Sequence, residues 1–396
     1  MGAPFLPYGR QQIDADDIAA VVAALQGDLL TTGPAVAAFE EALCAQLGAR
    51  HAVACANGTA ALHLAYLAQG LGPGDRVIVP AITFLATANA ARMCDAEVVF
   101  ADVDPDNGLM TPATLDAAIA SAGAPVKLAI PVHLAGQPCD LISLGAIATE
   151  HGARLVEDAC HALGTRYGNG QRVGDCATSA AACFSFHPVK TIAMGEGGAV
   201  TTNDPEVAAR MRRLRHHGMA SAPGHFAYPA HGLAADGKAN PWYYEMPELG
   251  YNYRASDLQC ALGLSQLAKL DRFAETRRHL VRRYEARLSV MAPRIRFIAR
   301  APHADPCWHL AVALIDFAAL GRDRRAVMAA LRDQAIGSQV HYFPVSHQPY
   351  YVARYGAPDL PGAWRYYERC LSLPLHAGMK DADVDRVCDA LEGLLP

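Results

Sequence analysis

The sequence lacks the features that mark membrane, secreted and nucleic-acid-binding proteins. No apolar run approaches the roughly 20 residues that span a bilayer. The segment Met1 to Phe5 has neither the basic region nor the apolar stretch of a signal peptide. With 34 Lys and Arg against 39 Asp and Glu, the formal net charge is -5, which argues against a general nucleic-acid binder. We therefore expect a cytoplasmic protein that binds neither membranes nor nucleic acid.

A cysteine framework for metal or disulfides is also missing. The eleven cysteines are irregularly spaced, lie mostly in apolar segments and form no Cys-x-x-Cys pair. This spacing is typical of reduced core cysteines, and not of a zinc ribbon or a disulfide scaffold. With 52% hydrophobic and 18% charged residues, the chain is predicted to be compact and globular, without a metal site.

The order of apolar segments predicts an α/β fold. A chain of 396 residues exceeds the size at which one core keeps growing, so two domains are expected. From residue 52, short apolar strands alternate with helices, which is typical of a mostly parallel sheet covered on both faces. Seven strands are predicted: Ala52 to Cys55, Arg76 to Val79, Glu97 to Ala101, Lys127 to Val132, Arg154 to Val156, Ala181 to Phe186 and Ala199 to Thr202.

Helix signals complete the first part of the chain. Asp14 is a predicted N-cap of a helix ending near Gly27, and Pro34 opens a second helix. Further helices are predicted near 58–70, 85–94, 112–121 and 140–151, and from the cap Asp204 to about His216. Residues 220–248 have no clear period and are predicted to form a long irregular excursion.

The second part of the chain predicts a smaller α+β domain. A helix over Ala255 to Val290 is expected to contain the domain change, which gives a large domain of residues 1–255 and a small domain of 256–396. The small domain has strand-like segments at His309 to Ile315 and Ser338 to Tyr342. Its helices are predicted near 323–334, 361–370 and 381–394.

One lysine stands at the end of an apolar strand and before a glycine-rich turn. The stretch Phe184 to Lys190 is followed by Gly195-Glu196-Gly197-Gly198. Burial lowers the pKa of an ammonium group, so an amine placed here can become a nucleophile near neutral pH. A surface lysine at a strand end would show the same pattern.

Two further motifs point toward the same site. Asn57-Gly58-Thr59 joins a strand to a helix, where free backbone amides suit a phosphate, although an ordinary helix cap has the same residues. Asp158 lies at the carboxyl end of another strand, the edge where open α/β sheets bind ligands. An aspartate, a lysine and a phosphate turn suit pyridoxal phosphate (PLP): the lysine forms a Schiff base and the aspartate keeps the pyridine nitrogen protonated. Phe84 is a candidate to cover the ring.

Several stretches resemble the DegT/DnrJ/EryC1/StrS family of nucleotide-sugar aminotransferases, which have the type I PLP fold. They are Asn57 to His63, Pro131 to Gln137, Glu157 to Gly164, Phe184 to Gly198, Gly250 to Arg254 and Ala261 to Leu267. The resemblance runs from about Tyr8 to Leu375.

The resemblance implies the cofactor site residue by residue. Lys190 would hold the cofactor, Asp158 its ring nitrogen and His161 its phenolic oxygen, where many family members have Gln. The other expected cofactor residues are Phe84 for stacking, Gly58, Thr59 and Ser185 for the phosphate, and Asn252 from the partner subunit of a homodimer with composite sites. A core or capping role is the alternative for Asn252.

Within the family, the sequence is most similar to C4 aminotransferases of the pseudaminic acid pathway. This subgroup implies transfer of an amino group from L-glutamate, through PLP and its amine form PMP, to C4 of a UDP-linked 4-keto-6-deoxy-N-acetylhexosamine. The expected substrate residues are Tyr8, Asp28, Leu29, Leu30, Thr31, His187, His341 and Tyr342. For each of these, a structural role is the alternative, such as an ordinary strand pair at His341 and Tyr342.

Other functions remain open at this point. A related enzyme acting at C3, or on a GDP- or dTDP-linked sugar, would carry the same cofactor motifs. A PLP-dependent sugar dehydratase of this family has histidine in place of the lysine, so Lys190 argues against it. A non-catalytic relative would be expected to have lost Lys190 or Asp158, and both are present.

Overall fold

The computed structural model describes residues 4–222, 224, 226–302 and 304–395. The strands of this part of the chain are β1 (His51–Cys55), β2 (Arg76–Pro80), β3 (Glu97–Ala101), β4 (Leu128–Ala129), β5 (Arg154–Asp158), β6 (Arg166–Tyr167), β7 (Ala181–Ser185), β8 (Gly198–Thr202), β9 (Ile295–Phe297), β10 (Ala304–Asp305), β11 (Ala311–Ile315) and β12 (Cys370–Leu373).

The helices alternate with these strands. In chain order they are α1 (Ala15–Leu25), α2 (Pro34–Leu47), α3 (Gly58–Ala68), α4 (Leu85–Met93), α5 (Pro112–Ser121), α6 (Leu141–Glu150), α7 (Pro205–Leu214), α8 (Pro229–Gly232), α9 (Asp257–Leu267), α10 (Leu270–Ser289), α11 (Arg324–Asp333), α12 (Pro349–Tyr355), α13 (Pro361–Arg369) and α14 (Asp381–Glu392). The N-caps predicted at Asp14 and Asp204 are confirmed, since both carboxylates accept backbone amides of the first turn.

A seven-stranded sheet forms the centre of the larger part. Its order is β1-β8-β7-β5-β4-β2-β3. β3, β2, β4, β5 and β7 run parallel, and β8 is antiparallel to both of its neighbours. The expected α/β fold with a mostly parallel sheet is therefore confirmed. β4 is shorter than the predicted Lys127 to Val132, although the Ile130 amide still donates to the Ile78 carbonyl at 2.9 Å and Val132 bridges to Asp158.

The remaining part is built on a small antiparallel sheet of order β12-β11-β9. α10 packs on α14 and β9, while α9 packs on α1 and α2 of the larger part. The single helix expected over 255–290 is wrong, because the chain turns between Leu267 and Leu270. At this turn Lys269 leaves the helical path and its ammonium lies 2.8 Å from the carboxylate of Asp17. The predicted division between residues 255 and 256 stays a prediction.

A second expectation is also wrong: residues 338–342 do not form a strand. Only Gln339 pairs with a strand, exchanging both backbone hydrogen bonds with Ser372 of β12. The chain then leaves the sheet, and the imidazole of His341 and the ring of Tyr342 enter a cleft described below. β12 itself begins at Cys370, where the sequence pattern predicted the end of a helix.

Residues 220–248 form an excursion with little regular structure, as predicted. The described part contains the short helix α8 and two isolated bridges, Ala220–Glu245 and Leu233–Ala239. Pro223 and His225 of this segment lie outside the described residues. Elsewhere, the eleven cysteines are all free thiols. No helix in the described ranges combines the length and apolarity needed to cross a bilayer.

Candidate active site

A cleft of about 690 Å³ opens at the carboxyl ends of β5 and β7. Most residues that were predicted to act on cofactor or substrate line it together: Tyr8, Gly58, Thr59, Phe84, Asp158, His161, Ser185, His187, Lys190, His341 and Tyr342. The parallel order of the strands explains this convergence, since side chains that follow such strands meet at one sheet edge.

Lys190 lies in the turn after β7. Its backbone amide donates to the carbonyl of His187 at 2.8 Å, which holds the turn closed. The side chain is half-buried and lines the cleft. Burial lowers the pKa of the Lys190 amine, and the nearby Cys160 and Asp158 oppose this only in part. A lowered pKa favours the free amine, which is the form that acts as a nucleophile.

Asp158 ends β5 and is 5% exposed. Its Oδ1 accepts the backbone amide of Cys160 at 3.2 Å, and its Oδ2 accepts the hydroxyl of Thr87 at 2.7 Å. The Thr87 hydroxyl lies 2.7 Å from that of Thr83, one turn earlier in the chain. The carboxylate is thus fixed by donors on both oxygens and still borders the cleft.

The first turn of α3 forms a cradle beside Ser185. Asn57 is the N-cap, and its side chain accepts the amide of Ala60 at 2.9 Å. The interpretation of Asn57 as an ordinary helix cap is therefore correct. The amides of Gly58 and Thr59 nevertheless lie at the helix N-terminus, on the wall of the cleft. A Cβ at Gly58 would lie 2.8 Å from the Cβ of Ser185, so only glycine allows this approach.

Histidine and tyrosine side chains form the opposite wall. The hydroxyl of Tyr342 lies 3.2 Å from Nε2 of His161, and the rings of His161 and His309 are 4.3 Å apart. Nδ1 of His341 lies 2.8 Å from the hydroxyl of Ser372. Burial lowers the pKa of His341 to about 3 and that of His161 well below its ordinary value, so both rings are neutral near pH 7.

Five of the predicted residues lie outside the cleft of their own chain. Asp28, Leu29, Leu30 and Thr31 form an exposed connection between α1 and α2, where Thr31 bridges to Ser256. Asn252 is exposed and bridges to His216. The roles expected for these five residues, with Asn252 reaching the cofactor from a partner subunit, stay predictions.

Other cleft residues were not found by sequence reasoning. His309 and Gln339 line the cleft, and Thr87 lies behind it against Asp158. Thr83 and Thr87 are four residues apart, but Thr83 precedes the N-cap Phe84, so helical spacing gave no signal for the pair.

The residues present fit PLP. Any side chain at position 58 would fill the space between α3 and Ser185, which glycine leaves open. The backbone amides of Gly58 and Thr59, together with the Ser185 hydroxyl, form a set of donors that suits a phosphate. In addition, Nδ1 of His161 and Nδ1 of His309 are buried without a hydrogen-bond partner in the described part of the chain. Buried polar atoms usually have a partner, and these two are available to a polar group of a bound molecule or to a water.

Comparison with known proteins gives a consistent result. Residues 11–392 match the model of the DegT/DnrJ/EryC1/StrS aminotransferase family. The spore coat polysaccharide biosynthesis protein SpsC of Bacillus subtilis (strain 168) is 39% identical over 99% of this chain and 97% of its own length.

Solved structures are similar over the whole chain. Helicobacter pylori PseC, described as an aminotransferase involved in the biosynthesis of pseudoaminic acid, is 28% identical with a TM-score of 0.88, covering 99% of both chains. The PLP form of the sugar aminotransferase Spr1654 from Streptococcus pneumoniae is 27% identical with a TM-score of 0.86, covering 99% of this chain and 100% of its own. A PMP form of Spr1654 is similar to the same degree.

Proposed function

The chain belongs to the DegT/DnrJ/EryC1/StrS aminotransferase family, and we propose that it transfers an amino group from L-glutamate to C4 of a UDP-linked 4-keto-6-deoxy-N-acetylhexosamine in a pathway to pseudaminic acid. As a member of this family it is a PLP-dependent sugar aminotransferase, which takes a nucleotide sugar and an amino donor. The nucleotide, the C4 position and the pathway are the proposed part.

One observation carries the proposal. Lys190, with a pKa lowered by burial, lies in one cleft with the fixed carboxylate of Asp158 and the cradle at Gly58 and Ser185. The similarity to PseC along the whole chain supports the sugar. His187, His341 and Tyr342, the residues proposed to contact it, all line the cleft.

The chain's own residues are proposed to act as follows. When bound, PLP supplies a reactive carbonyl and an electron-withdrawing ring that carry the amino group from donor to acceptor. Lys190 would hold the cofactor and then accept and return a proton through its Nζ. Asp158 would hold the ring nitrogen, and neutral His161 would donate a hydrogen bond to the phenolic oxygen. The side chain of Phe84 would stack on the ring, and Ser185 with Gly58 and Thr59 would bind the phosphate.

A homodimer completes the proposal. Exposed apolar side chains follow one another along α1 and the connection after it, namely Ile18, Val22, Leu25, Leu29 and Leu30. A contiguous apolar patch of this kind favours an interface between subunits. Such an interface would bring Asp28 to Thr31 and Asn252 to the partner's cleft. We expect the dimer to work in the cytoplasm, and the free state of the eleven thiols supports this.

The substrate is tested with purified protein loaded with PLP. UDP-linked 4-keto-6-deoxy-N-acetylhexosamine is compared with dTDP- and GDP-linked 4-keto and 3-keto sugars as amine acceptors, and the product is identified by mass and by NMR of the aminated carbon. We expect the UDP-linked sugar to be aminated at C4 with the highest kcat/KM. A preference for another acceptor would overturn the substrate and leave the enzyme class unchanged.

A second candidate is a different keto sugar. The relative that is 39% identical is named for spore coat polysaccharide synthesis, which favours a surface-polysaccharide sugar in the same set of acceptors.

Lys190→Ala is the control variant for every acceptor that is tested. This variant should lose turnover and the visible absorption of the bound cofactor, and retention of either would contradict the role of Lys190.

A further inference from the structure

Thr87 and Thr83 form a chain of hydroxyl groups that ends on Asp158. The two hydroxyl oxygens lie 2.7 Å apart, and the Thr87 hydroxyl lies 2.7 Å from Oδ2 of Asp158. The two threonines are 0% and 1% exposed, respectively, so no solvent competes for these bonds.

The direction of the chain follows from the donor count. An ionised carboxylate can only accept, so Thr87 must donate its one proton to Asp158. The Thr87 oxygen then has only lone pairs left, and Thr83 donates to it. Both O–H bonds therefore point toward the carboxylate, and each strengthens the other in a buried site.

The geometry of α4 explains why these groups reach Asp158. The helix begins after Phe84, which is its N-cap, and the Thr87 amide donates to the Phe84 carbonyl at 3.3 Å. One turn of helix thus places Phe84 on the cleft and Thr87 behind it. Oδ1 of Asp158 is occupied by the Cys160 amide, so the carboxylate has a donor on each oxygen and cannot rotate without losing one.

We propose that Thr87 is a positioning residue for the cofactor, and that its hydroxyl, supported by Thr83, holds the carboxylate of Asp158 oriented toward the pyridine nitrogen. This inference rests on the PLP site of the proposed function and not on the identity of the sugar. Without the hydroxyl, the ionised carboxylate loses its strongest donor. The proton that it shares with the ring nitrogen would then move toward Asp158, and the ring would draw electrons less strongly.

The test compares Thr87→Val, which keeps the shape, with Thr87→Ser, which keeps the hydroxyl. We expect Thr87→Val to slow the half-reaction with the amino donor by about 10- to 100-fold, the effect of one hydrogen bond to a charged group. The pH midpoint of the lysine-linked cofactor's visible band should rise by about half to one unit, because a positive charge on the ring is lost. Thr87→Ser should restore both values, with KM for the donor little changed.

Thr202→Val is the matched control. Thr202 is also fully buried in the sheet, and its hydroxyl donates to the Ala180 carbonyl at 2.7 Å, away from the cleft lining. Thr202→Val should lower the free energy of unfolding without shifting the pH midpoint of the cofactor's visible band. Thr83→Val serves as a second variant if Thr87→Val folds poorly, and it should change the midpoint in the same direction by less.

The outcomes separate the two proposals. If wild-type protein binds PLP and reacts with the donor, while Thr87→Val keeps the wild-type midpoint and rate, the role of Thr87 is wrong and the proposed function stands. A Thr87→Val variant that resembles Thr202→Val, with lower stability only, would also overturn it. Failure of the wild-type protein to bind PLP would overturn the proposed function itself.

Discussion

At the scale of single residues, the cleft depends on one close contact between α3 and β7. Gly58 starts the helix, and a Cβ there would lie 2.8 Å from the Cβ and 3.1 Å from the hydroxyl of Ser185. Both residues are proposed to bind the same phosphate. A methyl group at position 58 would therefore separate the two halves of the cradle.

We expect Gly58→Ala to weaken PLP binding by about 5- to 150-fold, since overpacking a fixed contact costs about 1–3 kcal/mol. The dissociation constant is measured by absorbance titration of the apoprotein. Gly72→Ala is the matched control, because a Cβ at Gly72 has no atom within 4 Å. Equal PLP affinity of the two variants would show that the cradle does not bind the phosphate.

At the scale of secondary-structure elements, β5 carries two carboxylates that point to opposite faces of the sheet. Asp158 borders the cleft, whereas Glu157 is 1% exposed on the other face. Glu157 Oε2 accepts the Tyr167 hydroxyl at 2.7 Å and lies 2.9 Å from Nε2 of His133, and Ser179 donates to its other oxygen. Because the Cys139 amide donates to Nδ1 of His133 at 3.1 Å, the ring proton lies on Nε2 and is donated to Glu157.

This network fixes the end of β5 from behind, and Glu157→Gln should disrupt it. The carboxylate accepts on both oxygens, whereas the amide nitrogen of Gln is a donor, so at least one of the hydrogen bonds from Tyr167, His133 and Ser179 would be lost or would have to reverse. Losing a hydrogen bond to a buried charged group is expected to cost about 1.5–3 kcal/mol, measured by urea unfolding at pH 7. The exposed Glu41 gives the control variant Glu41→Gln, which should stay within about 0.5 kcal/mol of wild type. A similar small change for Glu157→Gln would contradict the importance of the network.

The elements also show what a sequence can predict. Hydrophobic periodicity and N-cap residues predicted the strands of the large sheet and the helices around it, because buried strands and capped helices have strong local sequence signals. The sheet order was not accessible, since β8 pairs with β1, a strand far away in the sequence. The strand expected at 338–342 and the helix expected over 255–290 failed because the local pattern does not show that the chain leaves the sheet after Gln339 or turns between Leu267 and Leu270.

The same limit applies to the site. Lys190, Asp158 and Gly58 were predicted correctly as neighbours, because each lies beside a recognisable strand or helix end. Thr87 and His309 were missed because their role arises from the packing of α4 and β11 against the cleft. Such contacts have no local pattern in the chain.

At the scale of the whole molecule, the site is proposed to be shared between two subunits. Asn252 lies outside the cleft of its own chain, exposed beside His216. If it binds the phosphate, it must do so in a partner's cleft. In a symmetric dimer the same patch serves both subunits, so each site would take Lys190 from one chain and Asn252 from the other.

Mixed dimers test this arrangement directly. Lys190→Ala and Asn252→Ala homodimers should each be inactive or strongly impaired, whereas a mixed dimer has one site with both mutations and one with neither. The two chains carry different tags and are co-expressed, and the doubly tagged fraction contains only mixed dimers. One of the two sites in each of these dimers is intact, so the turnover of this fraction should be about half that of wild type. Turnover and PLP content of the doubly tagged fraction are measured. Activity no higher than that of the separate variants would mean that Asn252 does not act across subunits, and the role carried over from the family would then be wrong for this chain.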